Sequence, residues 1–523
     1  MIRPAPSPLL AAALLVLGIA GLLPVGWMLA RLAAEPEALS VLGLGGAGAD
    51  PRVMGLLGRT IGLGLASSAV AALLGAPFGF LVARTDLPGR GVLRAAGVLP
   101  FLIPPLLVAA TWTQVVPLRG ARMTALLLGL SSAPVVALFT ARAAERIDRR
   151  REEAALLTGG VRAALRLELP LLLPAVLAGA AFAFLFTIQD FALPDYVSSV
   201  GPKFNVFADE VFAVWSVDQD AAEAVATSVP LVLLTLAALL PGLLLMRRGA
   251  LGTIERDFEA PRPLPLGRAK PLALLFALLF VLAGAGVPLG RLLWEAGGGP
   301  RGWTSEALRA AFARALELGR EDLRDTILYA TAAATLAVPL ALALGHRAER
   351  GRFGRALIVL VVLPLAVPAI LYGIGTVLVW NRPLLQAFYA SGGLVVLMMI
   401  GRFLCFPTLV CQGATAAMDA RLEEAALLAG AGPTRRLARI VAPPLRPSLF
   451  GAWTLVFVLA VRELDAAVIV PAAKHTAMYR VFNAVHFGRD DFVAALALLV
   501  IFVVVLPGLV WSLFSNRRME FLP

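Results

Sequence analysis

Apolar runs of about twenty residues recur along the whole chain, broken by short stretches that carry arginine, proline or glycine. A run of that length is what an α-helix needs to cross the hydrocarbon core of a bilayer. Such runs fall near residues 8–31, 56–83, 93–117, 122–143, 171–194 and 225–246. Six more follow near 271–294, 324–346, 356–380, 392–414, 448–471 and 492–515. The pattern predicts an all-α, polytopic membrane protein of about twelve transmembrane helices. The first run continues from Leu9 to about Ala30, beyond the roughly 7–15 apolar residues of a secretory signal, and is read as a retained first span.

The two sets of six match in landmarks as well as in number. RTIGLGLASSAVAALLG at 59 pairs with DTILYATAAATLAVPLA at 325, opening the second span of each half. LPFLIPP at 99 pairs with LPLAVPA at 363, an element that should kink each third span. LPLLLPAVLAGAAFAF at 169 answers APPLRPSLFGAWTLVF at 442. The chain therefore divides by repeat into a first module at 1–247, a linker at 248–270 and a second module at 271–523. Because each half has an even number of spans, both enter the membrane from the same side, as a parallel repeat about an axis along the membrane normal.

Hydrophobic residues make up 59% of the 523 and charged residues 15%, with a formal charge of +12. That charge raises nucleic acid as a partner, but the arginines sit in short clusters between apolar runs, so the partner is the lipid bilayer and not nucleic acid. Lysine occurs only at Lys203, Lys270 and Lys474. Arginine-bearing ARTDLPGRGVLR, the linker, GHRAERGRFGR and the tail SNRRMEFLP all fall on one side, whereas 195–224 is net acidic. The positive-inside rule then puts both termini in the cytoplasm. Cys405 and Cys411 lie in one apolar run and read as packing residues.

Between the fourth and fifth spans of each half stands a charged phrase, REEAALLTGG at 151–160 and RLEEAALLAGAG at 421–432. Alanine, leucine, glutamate and arginine favour helix up to Leu157, where Gly159 and Gly160 stop it. Each loop is read as a short helix, a glycine turn and a second short segment that ends at proline, Pro170 or Pro443. Ala154 and Ala155, or Ala425 and Ala426, keep one surface low enough for close approach by another protein, and Glu152, Glu153, Glu423 and Glu424 could meet its basic residues. A solvated helix would carry a single such phrase for no special reason. Two at equivalent positions point to a docking knob.

Glu153-Ala154-Ala155 with Gly159, and Glu424-Ala425-Ala426 with Gly430 followed by Gly432, resemble the cytoplasmic loop of permease subunits of binding-protein-dependent ABC importers. The first copy departs from the family pattern, since Gly159 stands two residues closer to Pro170 than Gly430 does to Pro443. The resemblance covers nearly the whole chain, and a fused pair of modules looks like the ferric-iron type of permease. It implies the type I importer permease fold in the bacterial inner membrane. It also implies two copies of a P-loop ATPase subunit, each gripping one loop, and an external substrate-binding protein. ATP and Mg²⁺ would be held by the ATPase, and no cofactor or metal by this chain. No lysine here follows glycine as a P-loop requires, and His346, His475 and His486 are scattered. The chain therefore reads as a transport subunit and not an enzyme.

Charges at the ends of spans five and eleven mark a candidate translocation path: Asp190 and Asp195 in the first half, Arg462, Glu463 and Asp465 in the second, with Arg402 a further candidate. The alternative reading makes them helix-end residues. RELDAAVIV resembles the matching stretch of ferric-iron permeases and favours iron as cargo, while related permeases carry thiamine, polyamines, phosphonates, sulfate or molybdate. A secondary transporter of the major facilitator kind also has six plus six spans, and GHRAERGRFGR loosely resembles one of its loops. In that family the fullest loops would fall elsewhere.

Overall fold

The structure is a computed structural model that describes residues 7–42, 50–218, 220–250, 262–471, 475–487 and 491–514. Lys474, part of the linker and the arginine-bearing tail lie outside the described residues, as does the side chain of His486. Helix dominates, and among the described residues the only β pairing is an isolated bridge between Thr85 and Leu264.

Among the described residues eight helices are long and apolar enough to span a membrane, and four bent helix pairs, each counted as one span, bring the number to as many as twelve. In the first half they are Pro8–Ala34, Pro51–Arg84, the pair Arg90–Leu102 with Pro105–Val115, Gly120–Glu145, Leu165–Gln189 and Ala221–Leu239. The second half has Gly267–Ala296, Ser305–Arg350, then the pairs Gly354–Ala366 with Ala369–Trp380, Pro383–Tyr389 with Gly392–Phe403, and Pro433–Val441 with Arg446–Arg462, and finally Asp491–Val510. The eighth is far longer than its apolar part. Its first five turns are alanine- and leucine-rich but charged, so hydropathy alone misses a segment that helix propensity supports.

The expected kink in each third span is a right-angled break, 95° in the first half and 97° in the second. Ile103 and Val367 precede prolines and take extended backbone, as a residue before proline must when the ring crowds its helical conformation. The opening span of each half shares another device. A wide π turn at Leu17–Leu22 precedes Pro24, and one at Leu282–Gly286 precedes Pro288. A proline removes one donor from the ladder, and the wider turn absorbs the gap.

Close packing repeats as well. A side chain at Gly79 would strike the Ala137 carbonyl, and one at Gly345 the Thr408 carbonyl. Glycine at these two equivalent places lets the second helix approach the fourth, and the eighth approach the helix Cys405–Ala416 that follows the tenth pair, backbone to backbone, the usual way helices associate where water provides no hydrophobic drive. Cys405 and Cys411 are buried and free.

Contacts divide the chain into two compact units that do not follow the sequence halves: Met1–Val41, Val211–Thr227 and Arg309–Pro523 form one, Leu42–Glu210 and Ser228–Leu308 the other. The first span therefore packs with the second half, where Tyr372 donates a hydrogen bond to the Ala20 carbonyl at 2.5 Å. The seventh packs with the first half, with Phe280 stacked on Phe78 at 4.2 Å and Trp112 donating to the Ala283 carbonyl. The packing units thus cut across the two halves of the sequence.

The described end of the linker is stitched to the loop after the second span. Leu264 N–H donates to the Arg84 carbonyl at 2.7 Å, Leu266 N–H to Asp86 at 2.9 Å, and Lys270 pairs with Asp86 at 2.7 Å. The Lys270 hydrogen bond, with that of Leu266, holds the Asp86 carboxyl below its ordinary range.

Candidate functional site

Both charged loops begin on the same cap. Asp148 accepts the Arg150 N–H at 2.8 Å and Asp419 the Arg421 N–H at 3.0 Å, satisfying a donor that the first helical turn leaves open. The second-copy helix is Ala420–Leu428. It closes when Gly430 enters the left-handed region at φ 78°, with Gly430 N–H donating to the Leu427 carbonyl and Ala431 N–H to that of Ala426, both at 2.9 Å. Only glycine takes that backbone without strain. Gly432 then precedes the short helix Pro433–Arg436, accepting the Arg436 N–H.

In the first copy the break sits at Gly159, which is extended at φ −162°, and Gly160, left-handed at φ 64°. The left-handed residue is thus one place later than in the second copy. The second segment also differs from expectation. It does not end at Pro170 but runs on through Pro170 and Pro174 to Gln189 as part of Arg149–Gln189. In the second copy the helix breaks between Val441 and Arg446 and bends by 95°. Tandem Pro443 and Pro444 remove two successive donors there, whereas Pro170 stands alone ahead of three leucines that restore the ladder.

The described glutamate side chains do not act alike. Glu153 is exposed and pairs with Arg149 at 2.6 Å, one helical turn back. Glu424 and Ala425 are exposed and Ala426 is half-buried. Glu152, Ala154 and Ala155 lie on the first-copy helix, their side chains outside the described set. Glu423 turns inward. It meets His346 Nε2 at 2.6 Å and Arg350 Nε at 3.2 Å, and Arg350 also donates to the carbonyls of Thr415 and Met418. An arginine at the end of the eighth span thereby fixes both the approach to the second loop and its helix.

Burial raises the Glu423 carboxyl, but the hydrogen bonds and charges of His346 and Arg350 outweigh it and hold the group below its ordinary value of 4.5. A carboxyl depressed in the folded protein contributes stability above its unfolded pKa and loses it as pH falls through the folded one. Protection against hydrogen exchange across 420–431, taken relative to the intrinsic rate at each pH, is expected to fall as pH drops below 4.5, and Glu423→Gln should remove that dependence. A wild-type profile identical to the variant's would rule the anchor out.

Arg84, at the matching end of the second span, is 1% exposed and pairs with the wholly buried Glu168 in the second segment of the first loop, while its other nitrogen reaches the Arg262 carbonyl. The loops are thus each held by an equivalent arginine. What they leave outside is apolar: Leu157 and Leu428, at corresponding positions just before the glycines, are both 89% exposed, with Leu422 at 53%. An exposed leucine alone means little, but here the same apolar position stands exposed at the tip of both loops. In the sequence these leucines are masked by the charges beside them, and only the fold sets them apart.

The residues proposed for a path fall into separate units. Asp190 caps a short helix by accepting the Leu193 N–H at 2.9 Å, and Glu463 does the same for Ala466 at 2.9 Å. Both are therefore helix-end residues, at equivalent breaks. Glu463 also pairs with Arg402 at 3.4 Å, both side chains nearly buried, an association that the sequence left undrawn. Arg462 and Asp465 flank this break. Asp195 lies with Asp190 near Asp209, whose carboxyl is pushed well above the ordinary range by burial, only partly offset by the Val206 N–H and reinforced by the charges of Asp195, Asp190 and Glu210. Asp209 Oδ1 has no hydrogen-bond partner, while Glu210 pairs with Arg52. No group of three histidine, cysteine or carboxylate side chains disposed to hold a metal occurs among the described residues.

No family model matches the chain. It is 29% identical over 220 residues to a putative ABC transporter permease protein, ORF1, of Streptomyces antibioticus, an alignment covering 42% of this chain and 94% of that one. It is 27% identical over 197 residues to the putrescine transport system permease protein PotI of Escherichia coli (strain K12), covering 36% of this chain and 69% of PotI. Together with the multiple apolar helices, these likenesses support a multi-pass membrane protein and a transport subunit.

Proposed function

We propose, from the premise these likenesses support, an ABC transporter permease, that this chain is the fused two-module permease of a binding-protein-dependent importer. Its glycine-broken loops face the cytoplasm, and each seats in a separate P-loop ATPase subunit that holds ATP and Mg²⁺. The observation that carries the reading is the pair of capped, arginine-anchored helices that present Leu157 and Leu428 at equal exposure. Such a knob offers a partner apolar surface at its tip and, at Glu153 and Glu424, an acidic flank. Its anchoring to the end of a membrane span lets movement of the partner reach the bilayer. The cytoplasmic termini follow from the arginine distribution, and the inner membrane from the resemblance to importer permeases.

The cargo reading is a cation. RELDAAVIV points to ferric iron. The likeness to PotI favours a diamine, whose ammonium groups would find carboxylates at Asp190 and Asp195. Uptake into proteoliposomes containing the cognate ATPase and receptor, with labelled Fe³⁺ and labelled putrescine as alternative cargoes, separates the two. Uptake of neither, with a neutral or anionic solute carried instead, would remove the cation reading.

Reversing the acidic flank tests the docking directly. Glu153→Lys with Glu424→Lys is expected to weaken ATPase association about tenfold, the scale of a few rim charges, and to leave the fold unchanged because both sites are exposed. Wild-type assembly and uptake in that variant would count against the acidic contact.

A further inference from the structure

Beneath the second loop, within one compact unit, lies a cavity of about 30 Å³ lined by Ser7, Ala343, His346, Arg347, Glu423 and Arg436 among others. By the measure in which one water takes about 10–15 Å³, it has room for two or so oxygen-sized groups. Arg436 is 7% exposed, yet its Nε has no hydrogen-bond partner, and neither Arg436 nor Arg347 forms a side-chain hydrogen bond or ion pair among the described residues. A buried guanidinium without a counter-charge is costly, and proteins ordinarily avoid it. The one carboxylate in the lining, Glu423, is already engaged by His346 and Arg350. The lining therefore keeps an uncompensated positive charge.

We infer that this cavity binds a phosphate oxyanion, held by Arg436 and Arg347 and supplied by the headgroup of an anionic lipid. Guanidinium groups suit such oxygens because their forked donors match the spacing of two phosphate oxygens. The depth fits: the cavity is bounded by the start of the first span at Ser7, by the end of the eighth at Ala343–Arg347, and by the first limb of the eleventh at Pro433–Leu437. Span ends lie at headgroup level, where basic pockets between helices take lipid phosphates. The N-terminus of the first span, capped by Ser7, adds its dipole in the favourable sense. Since Glu423 belongs both to this lining and to the second-loop anchor, an occupied site would brace the loop from below.

The test uses the delipidated full chain in detergent, without ATPase, so its outcome is independent of docking and transport. Short-chain phosphatidylglycerol, inorganic phosphate and short-chain diacylglycerol are titrated while the melting temperature is followed. Phosphatidylglycerol is expected to give a saturable rise of a few degrees, and diacylglycerol none. The rise should vanish in Arg347→Gln and in Arg436→Gln and persist in part in Arg436→Lys. A second reading is the sign of the Arg436→Gln effect: it should raise the melting temperature of the lipid-free protein, by removing an unpaired buried charge, and lower it when phosphatidylglycerol is present. An arginine with a purely structural role would lower both. If inorganic phosphate alone reproduces the rise, the oxyanion site stands and the lipid source falls. If no probe acts, or the variants respond as wild type does, the site itself is overturned.

Discussion

Changing Leu157 and Leu428 together to aspartate is expected to abolish ATP-driven uptake and to weaken ATPase association by at least about 100-fold. Burying one leucine contributes about 1.5–3 kcal/mol, and about 1.4 kcal/mol is tenfold in affinity, so two tips account for that loss before the cost of desolvating the new carboxylates is added. The fold should be untouched, because both side chains are 89% exposed and substitutions at such positions usually stay within about 0.5 kcal/mol. Either single change should cripple one of two sockets and leave an assembly that retains one ATPase. Co-purification of the ATPase with each variant measures this, alongside uptake in proteoliposomes. Full association of the double variant would show that the apolar tips are not the contact.

Arg350→Ala is expected to cost about 3 kcal/mol of stability, the low end of what breaking a buried pair costs, since Arg350 and Glu423 keep some solvent contact. The loss is large because one guanidinium serves Glu423 and the Thr415 and Met418 carbonyls together. Lysine cannot serve all three from a single ammonium, so Arg350→Lys should recover only part. The consequence of interest is mechanical. With the second loop unfastened from the eighth span, ATP hydrolysis should continue while uptake per ATP falls, a split that a general loss of folded protein would not produce. Removing both partners, as Arg350→Met with Glu423→Leu, should restore much of the stability but not the coupling. Equal falls in hydrolysis and uptake in Arg350→Ala would refute the transmission role.

Much of the architecture was legible in the order of residues. Hydrophobic run length identifies the spans, because a bilayer demands about twenty apolar residues wherever a helix crosses it. The duplicated landmarks foretold devices that the fold places twice: the right-angled breaks before Pro104 and Pro368, and the glycine turns ending the charged helices. These are local effects of backbone chemistry, and proline and glycine impose them whatever lies nearby. The persistence of the first-copy helix through Pro170 marks the limit of such rules, since one proline among leucines can be accommodated where two in succession cannot.

What needed the tertiary structure was which partner each charge would find. Sequence alone determined that the chain is helical and membrane-spanning, with landmarks that recur in two sets and two charged loops. It gave Glu423 and Glu424 the same outward role, yet folding turns one toward His346 and Arg350 and leaves the other in solvent. Arg402 and Glu463 stand far apart along the chain and meet only when the tenth and eleventh helices pack. The exchange of opening spans between halves, the lone guanidinium of Arg436 and the exposed leucines likewise depend on which helix faces lie against each other. Hydropathy and propensity act over a few neighbouring residues, whereas an ion pair, a close helix crossing or an unfilled cavity is fixed by side chains brought together from distant segments.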